Sequence, residues 1–330
     1  MARLLARIHM VAVALALLLI VCGPAASPAV AQVNPNGSAV QEQQLLQQLK
    51  TIQGLGTIPD TKSYVLEHPA GRNWQFFHNV TLHWIAGVAI LGMLVILVVF
   101  HLTHGTMKLE RGFSGVKIVR FNWFERFVHW MTATCFIILA ISGLNITVGR
   151  ALLLPLLGAE RFATWSEWAK YAHNYLSFPF IIGVVLIFVM WIGGNIPNRV
   201  DVEWVKQGGG IFGDKHPPAE RFNAGQKFVY WAVVISGIVL AVTGYILMFP
   251  FYGTTIDGMQ WAEIVHGVLA VLFIALMIGH IYIGTIGEEG AFEAASEGTV
   301  DLNWAKQHHR LWLEEQTAHG KAPAGAVPAE

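Results

Sequence analysis

The stretch AEIVHGVLAVLFIALMIGHIYIGTI, residues 262–286, decides the fold class because it is a membrane-length apolar run that contains two histidines. It has no Lys or Arg, and its acidic residue, Glu263, stands at the start. About 20 apolar residues are enough for a helix to cross the hydrocarbon core of a bilayer. In that core the backbone must satisfy its own hydrogen bonds, so we predict a transmembrane helix here.

The two histidines of this helix share one face. His266 and His280 are 280 − 266 = 14 positions apart. At about 100° per residue, 14 positions end about 40° short of four turns, and at about 1.5 Å per residue they span roughly 21 Å. Each histidine therefore lies near a different membrane surface. Ionisable residues at such depth are functional candidates, and a neutral imidazole is a natural axial ligand for haem iron.

Four further apolar runs in the chain are long enough to span. They cover residues 80–103, 128–149, 174–193 and 229–251. The whole chain is 54% hydrophobic and 13% charged, whereas soluble domains carry about 25% charged residues. We predict an all-α integral membrane protein with five transmembrane helices. The zero formal net charge argues against a nucleic-acid partner.

Basic residues in the connections predict the orientation. The connections 104–127 and 194–228 each contain five Lys or Arg residues, whereas 150–173 contains three and 252–261 contains none. The positive-inside rule places the two basic connections in the cytoplasm, together with the C-terminal tail 291–330. The prediction is a multi-pass protein of the bacterial inner membrane with a cytoplasmic C-terminus.

The first 31 residues are typical of a secretory signal. Arg3 and Arg7 precede an apolar stretch, and Ala29-Val30-Ala31 provides a small-residue cleavage site. We expect cleavage to leave residues 32–79 as a periplasmic segment, which agrees with the orientation given by the basic connections.

Two histidines on other helices match the levels of His266 and His280. His129 opens the run 128–149 on the cytoplasmic side, level with His280, and His173 opens the run 174–193 on the outer side, level with His266. We predict an outer site from His173 with His266 and an inner site from His129 with His280. Gly143 lies 14 residues after His129, so it offers clearance for a macrocycle at the outer level.

Spacing alone does not select these four histidines. His83 and His101 on the first run are 101 − 83 = 18 positions apart and also share a face. A haem-free anchor or transporter with interfacial histidines is the distant alternative.

From residue 118 to residue 313 the chain resembles the gamma (cytochrome b) subunit of membrane-bound formate dehydrogenase. The segments that carry the resemblance are RFVHW (126–130), GNIPN (194–198), RFNAGQK (221–227), IVHG (264–267), GHIY (279–282) and WAKQHH (304–309). The resemblance implies that a four-helix di-haem cytochrome b bundle, residues 118–290, is joined by one additional N-terminal transmembrane helix, residues 80–103. It also implies two haem b groups, held by the pairs His173/His266 and His129/His280. The histidines of the first run have no counterpart in the family pattern and are interpreted as structural: His78, His83, His101 and His104.

The resemblance also implies a quinone site beside the inner haem. Asn223, Gly225, Gln226 and the ligand His280 are expected to contact menaquinone or ubiquinone. Asn223 and Gln226 also have the spacing of a capping box at a helix start, and the two interpretations are compatible. The basic residues nearby, Arg126, Arg221 and Lys227, are interpreted mainly as positive-inside charges.

The implied partners are the other subunits of a formate dehydrogenase. Electrons would come from an iron–sulfur beta subunit, formate would be oxidised on a pterin-containing alpha subunit, and this chain would be non-catalytic; a higher oligomer of the complex is also allowed. The nearer alternative is a cytochrome b subunit of a hydrogenase or thiosulfate-type reductase. His308 and His309 are expected to face solvent or a partner.

Overall fold

The computed structural model describes residues 71–210, 216–250 and 252–323, so the predicted signal and most of the segment 32–79 lie outside it. Among the described residues, five helices are long and apolar enough to cross a membrane, which confirms the all-α membrane architecture. The helices are α1 Gly71–His104, α2 Trp123–Leu152, α3 Leu154–Leu157, α4 Ala159–Trp191, α5 Arg199–Lys206, α6 Ala224–Met248, α7 Ile256–Tyr282, α8 Phe292–Ser296, α9 Leu302–His308 and α10 Arg310–Ala318. Two short strands are β1 Lys117–Val119 and β2 Thr299–Asp301.

The long helices begin before the apolar runs that predicted them. The largest difference is in α4, which starts at Ala159 rather than at residue 174, so most of the expected connection 150–173 is helical. Polar residues such as Glu160 and Lys170 precede the apolar run but belong to the same helix, because a helix can continue beyond the hydrocarbon. The prediction that His173 opens its helix was therefore wrong: this residue lies in the helix interior.

The other helix starts show smaller shifts of the same kind. Helix α2 starts at Trp123, five residues N-terminal to the predicted 128, so His129 lies in its second turn. Helix α1 starts at Gly71 rather than at residue 80 and contains a π-helical turn over Phe77–Thr81. The end of the expected periplasmic segment is thus part of this helix.

Asparagine side chains fix the starts of α2, α5 and α6. Each of these helices has a capping box, in which the Asn side chain accepts a backbone N–H and an acidic or amide side chain three residues on accepts the N–H of the Asn. The pairs are Asn122 with Glu125, Asn198 with Asp201, and Asn223 with Gln226. The capping box predicted at Asn223 is confirmed.

The four core helices form two pairs. Helix α2 packs against α4, α6 packs against α7, and contacts between α4 and α6 join the pairs. The additional helix α1 packs against α7, where Leu82 and Ala86 are buried. The approach is close because position 267 is glycine: a Cβ there would lie 2.9 Å from Leu82 Cδ2. Helix α1 therefore lies along one side of the helix that carries His266 and His280.

The segment predicted as a C-terminal tail is folded. Strand β2 pairs antiparallel with β1, and α8, α9 and α10 pack with the connections 105–122 and 216–223 into what we call the cap. Its apolar core includes Trp304, Trp312 and Leu313, all at most 4% exposed. These large side chains sit in segments too polar to predict a span, but burying them is favourable and drives the segment to fold.

His309 is buried in the cap, which contradicts the expectation that it faces solvent or a partner. It is 0% exposed, its Nδ1–H donates to Glu220 O at 2.6 Å, and Arg120 Nη2 donates to its Nε2 at 3.2 Å. Burial and the neighbouring Arg120 hold the pKa of His309 well below its usual value, so it stays neutral. Burial, with the nearby Arg221, also lowers the pKa of Arg120 to about 9, and Arg120 remains charged at neutral pH.

Candidate functional site

The four histidines predicted as ligands meet in two pairs. The ring centroids of His173 on α4 and His266 on α7 are 6.2 Å apart, with the ring planes inclined by 63°. Those of His129 on α2 and His280 on α7 are 6.4 Å apart, with the planes inclined by 64°. We call them the outer pair and the inner pair, after their predicted sides.

Both separations fit one metal ion between two imidazoles. A ring nitrogen binds a transition metal at about 2 Å, so two imidazoles on opposite sides of one iron place their ring centroids about 6 Å apart. In the described part of the chain, no group of three or more His, Cys, Asp or Glu side chains is placed to hold a metal ion. Two imidazoles would leave further coordination positions of an iron free, which suits a macrocycle that would supply the other ligands. Nδ1 of His129 is buried and has no hydrogen-bond partner among the described residues.

The outer histidines have matching surroundings. Ser142 Oγ lies 2.9 Å from Nδ1 of His173, and Thr243 Oγ1 lies 2.9 Å from Nδ1 of His266. A glycine follows each hydroxyl residue: a Cβ on Gly143 or on Gly244 would lie 3.2 Å from Cε1 of the corresponding imidazole. Gly143, which was expected to leave clearance for a macrocycle, lies against the imidazole of His173.

An internal repeat explains this match, and our sequence reasoning missed it. Residues 120–130, RFNWFERFVHW, correspond to residues 221–231, RFNAGQKFVYW, and LAISG at 139–143 corresponds to LAVTG at 240–244. In both of these segments the equivalent residues are 221 − 120 = 101 positions apart. The repeat is visible in the sequence, but apolar helices resemble one another by composition. It becomes convincing only when residues 120–130 and 221–231, which include the two helix starts, are compared.

Equivalent residues of the repeat contact each other, as expected for an approximate twofold axis. Arg120 Nη2 donates to Arg221 O at 2.6 Å, and Arg221 Nη2 donates to Arg120 O at 3.2 Å. The rings of Phe121 and Phe222 stack with centroids 6.2 Å apart. Because the outer histidines hold matching places against α2 and α6, the outer pair lies across this axis.

The inner pair breaks the symmetry. The repeat equivalent of His129 is Tyr230, and the residue 14 positions after His173, equivalent to His280, is Ile187. Tyr230 and Ile187 pack together in the core, and the Tyr230 hydroxyl donates to Phe188 O at 3.0 Å. The bundle therefore offers two imidazoles at only one of its two equivalent inner positions.

The histidines of α1 all have partners within the protein. They bind or stack on side chains and backbone groups of α1 and α7, which fits the interpretation that they are structural. The contacts are His78 Nε2 to Glu263 Oε1 at 3.3 Å, His83 Nδ1–H to His78 O at 3.1 Å, His101 Nδ1 to Tyr282 OH at 3.1 Å, and His104 on Phe100 with centroids 4.7 Å apart. Two of these contacts join α1 to α7, one at each end.

The predicted quinone residues on α6 form one turn. Asn223 Oδ1 accepts from Gln226 N–H at 2.9 Å, and Gln226 Oε1 accepts from Asn223 N–H at 3.2 Å. A Cβ on Gly225 would lie 3.3 Å from the Trp204 ring. The capping box occupies the side-chain oxygens and leaves the amide N–H groups for another acceptor. Among the described residues, no hydrogen bond or ring contact joins this turn to His280.

The basic residues near this turn, interpreted above as positive-inside charges, have partners within the protein. Arg221 Nη2 lies 2.7 Å from Glu125 Oε1, and Arg126 Nη1 donates to Ser296 O at 2.7 Å. The Lys227 side chain is 4% exposed and lies between Asp201 and Glu220, at 2.9 and 3.2 Å. Local partners therefore fix all three cations, because a buried cation without a partner is unstable.

Comparison with known proteins identifies relatives of the core. A family model described as prokaryotic cytochrome b561 matches residues 120–294, more than half of the chain. The formate dehydrogenase cytochrome b556(fdo) subunit of Escherichia coli strain K12 is 31% identical over 202 residues, covering 60% of this chain and 92% of that subunit. The nitrate-inducible cytochrome b556(Fdn) subunit of the same strain is 26% identical over 205 residues, covering 60% and 91%. The formate dehydrogenase cytochrome b556 subunit of Haemophilus influenzae is 25% identical over 212 residues, covering 62% and 85%.

Proposed function

This chain belongs to the prokaryotic cytochrome b561 family, and on that premise we propose that it carries electrons across the membrane through two bis-histidine b haems. The observation that supports the proposal most directly is the pair of histidine separations, 6.2 and 6.4 Å, each suited to one iron. A bound haem supplies one-electron redox chemistry. The chain would supply imidazole ligands at two depths and an apolar bundle that keeps water from them.

We assign a role to each pair. His173 and His266 would hold the haem nearer the electron donor, and His129 and His280 would hold the haem nearer the quinone. The two histidines of α7 are 14 residues apart, roughly 21 Å along the axis, so transfer between the pairs moves charge through much of the bilayer. Each charge that crosses costs or yields about 2.3 kcal/mol per 100 mV of membrane potential.

The relatives that are formate dehydrogenase subunits support formate as the electron source. In this proposal a pterin-containing alpha subunit oxidises formate, and an iron–sulfur beta subunit passes the electrons to the outer pair from the periplasmic side. This chain takes no part in formate oxidation itself. It joins the partner subunits to the quinone pool in the bacterial inner membrane.

The start of α6 is the proposed quinone site. The repeat supports this, because Ala224 and Gly225 stand where the equivalent turn of α2 has Trp123 and Phe124. The Trp204 ring lies over Gly225, and the small side chain of Ala224 leaves the helix start partly exposed, where the amide N–H groups of Asn223 and Gln226 can donate to a quinone carbonyl. Two electrons from the inner pair and two protons from the cytoplasmic side convert the quinone, menaquinone or ubiquinone, to its quinol.

A haem count on the purified complex tests the proposal. We expect two low-spin b haems per chain and an alpha band in the reduced-minus-oxidised spectrum, with both haems reduced by formate. A chain without haem would overturn the proposal in favour of a structural anchor or transporter. Reduction by hydrogen but not by formate would favour a hydrogenase subunit instead.

The quinone site gives a second prediction. Asn223→Asp keeps the N-terminal capping box of α6, because a carboxylate also accepts the Gln226 N–H, but it removes the side-chain amide donor. One lost hydrogen bond of about 1 kcal/mol corresponds to a rise in the KM for quinone of roughly fivefold, with both haems retained. Steady-state formate–quinone reductase assays measure this.

Asn122→Asp is the matched control, because it makes the same change in the equivalent capping box of α2. It should leave the KM for quinone unchanged. Equal KM values for both variants and the unmodified chain would remove Asn223 from the proposed site.

A further inference from the structure

We propose that Ser142 and Thr243 are positioning residues that fix the outer histidines by their Nδ1–H groups and lower the reduction potential of the outer haem. The inference rests on the proposed haem ligation and goes beyond it. It assigns a direction to electron flow that ligand positions alone do not give.

The hydrogen-bond directions around the two hydroxyl groups are fixed by the backbone. Ser142 Oγ donates to Ile138 O and Thr243 Oγ1 donates to Val239 O, each at 2.7 Å. A hydroxyl has one proton to donate, so each oxygen acts as the acceptor in its 2.9 Å contact with histidine. The backbone carbonyls of Leu139 and Leu240 also accept from these two imidazoles. The imidazoles therefore carry their proton on Nδ1, which leaves Nε2 without a proton and able to bind iron.

The arrangement occurs twice, on separate helices. Ser142 is on α2 and holds a histidine of α4, whereas Thr243 is on α6 and holds a histidine of α7. Both hydroxyl residues stand in the repeated segment, LAISG and LAVTG, and both precede the glycine against which the same imidazole packs. Each half of the repeat therefore has a hydroxyl group at this position, from serine in the first half and from threonine in the second.

The inner pair has a different environment. Nδ1 of His129 is buried without a hydrogen-bond partner among the described residues. The position that corresponds to His129 in the second half of the repeat is a tyrosine. The hydroxyl support is thus a property of the outer pair and not a general feature of the histidines in this bundle.

The difference has an electronic consequence. An acceptor at Nδ1–H raises the basicity of a ligating imidazole and fixes its orientation. A more basic ligand stabilises the more highly charged ferric state, so a haem with two such ligands has a lower reduction potential. A lower potential at the outer site favours electron transfer from the outer pair to the inner pair, which is the direction needed to deliver electrons from the periplasm to quinone.

A redox titration of the complete complex tests the inference. In the double variant Ser142→Ala/Thr243→Val we expect both haems to remain and the outer haem to become easier to reduce. At a fixed applied potential its ratio of reduced to oxidised form should rise roughly tenfold, about 59 mV for a one-electron couple. The inner haem should keep its potential. If the double variant loses the outer haem, each single variant is titrated and should show a smaller shift of the same sign.

The repeat supplies matched controls. Ser142→Thr/Thr243→Ser exchanges the two residues, keeps both hydroxyl groups and should leave both potentials unchanged. Thr147→Val removes a hydroxyl that bonds Gly143 O on the same helix and should also have no effect. Two haems with unchanged potentials in the double variant and in both single variants, or equal shifts of both haems, would overturn the inference. A haem-free unmodified chain would instead refute the proposed function.

Discussion

Replacing His280 with Ala is expected to remove one of the two haems per chain and to reduce quinone reduction to background. The inner pair would keep only His129, and a bis-histidine haem cannot be held by one imidazole across the 6.4 Å that separates the rings. Formate oxidation with an artificial dye should continue, because the proposed dye-accessible centres lie in the partner subunits, upstream of this chain. Haem extraction, difference spectra and the two activity assays measure the three parts of the prediction.

Two other histidines provide controls for this variant. His129→Ala should give the same loss, since both residues are assigned to one iron. His101→Ala should retain both haems, because His101 lies at the same end of the bundle but is bonded to the hydroxyl of Tyr282 at 3.1 Å. A purified His280→Ala protein that kept two low-spin haems would show that the inner ligands are assigned wrongly.

Hydrophobicity was sufficient to predict the membrane helices, but it did not set their ends. The apolar runs predicted all five helices that span in the structure. The starts of α2 and α6 are set instead by Asn122 and Asn223, whose side chains bind backbone N–H groups outside the apolar run. Helix α4 extends furthest beyond its prediction, since a helix with polar residues is stable outside the hydrocarbon.

The positions of the histidines could be predicted because helix geometry is regular. A spacing of 14 residues fixed the depths of His266 and His280, and the structure pairs each with the expected partner, although both partners lie inside their helices and not at the ends. Spacing alone could not separate these residues from His83 and His101. The structure separates them by their contacts: His83 Nδ1–H donates to a backbone carbonyl within α1, and His101 contacts the Tyr282 hydroxyl of α7.

The cap was missed because its stability comes from contacts between distant segments. His309, Arg120 and Glu220 meet from three separate parts of the chain. A histidine next to another histidine in a short polar segment looks exposed when it is considered alone. Only the two tryptophans nearby, Trp304 and Trp312, indicated that this segment folds against something.

The repeat adds a second prediction with a large effect, which concerns the outer pair. Gly143→Leu is expected to remove the outer haem and leave the inner one. A Cβ at this position would already lie 3.2 Å from Cε1 of His173, so a leucine side chain would push the imidazole out of line with His266. Gly244→Leu should have the same effect from the opposite side, because Gly244 stands against His266 at the same distance of 3.2 Å.

The control is the same substitution at a glycine with free space around it. A Cβ on Gly92 of α1 would have nothing within 4 Å, so Gly92→Leu should retain both haems. Gly143→Leu and His280→Ala should both lose quinone reduction with formate, yet they should retain different haems. Added quinol should reduce the haem that remains in Gly143→Leu, whereas formate should reduce the haem that remains in His280→Ala. If formate instead reduced the haem of Gly143→Leu at the unmodified rate, electrons would enter the inner pair without passing the outer one, and the proposed order of the two sites would be wrong.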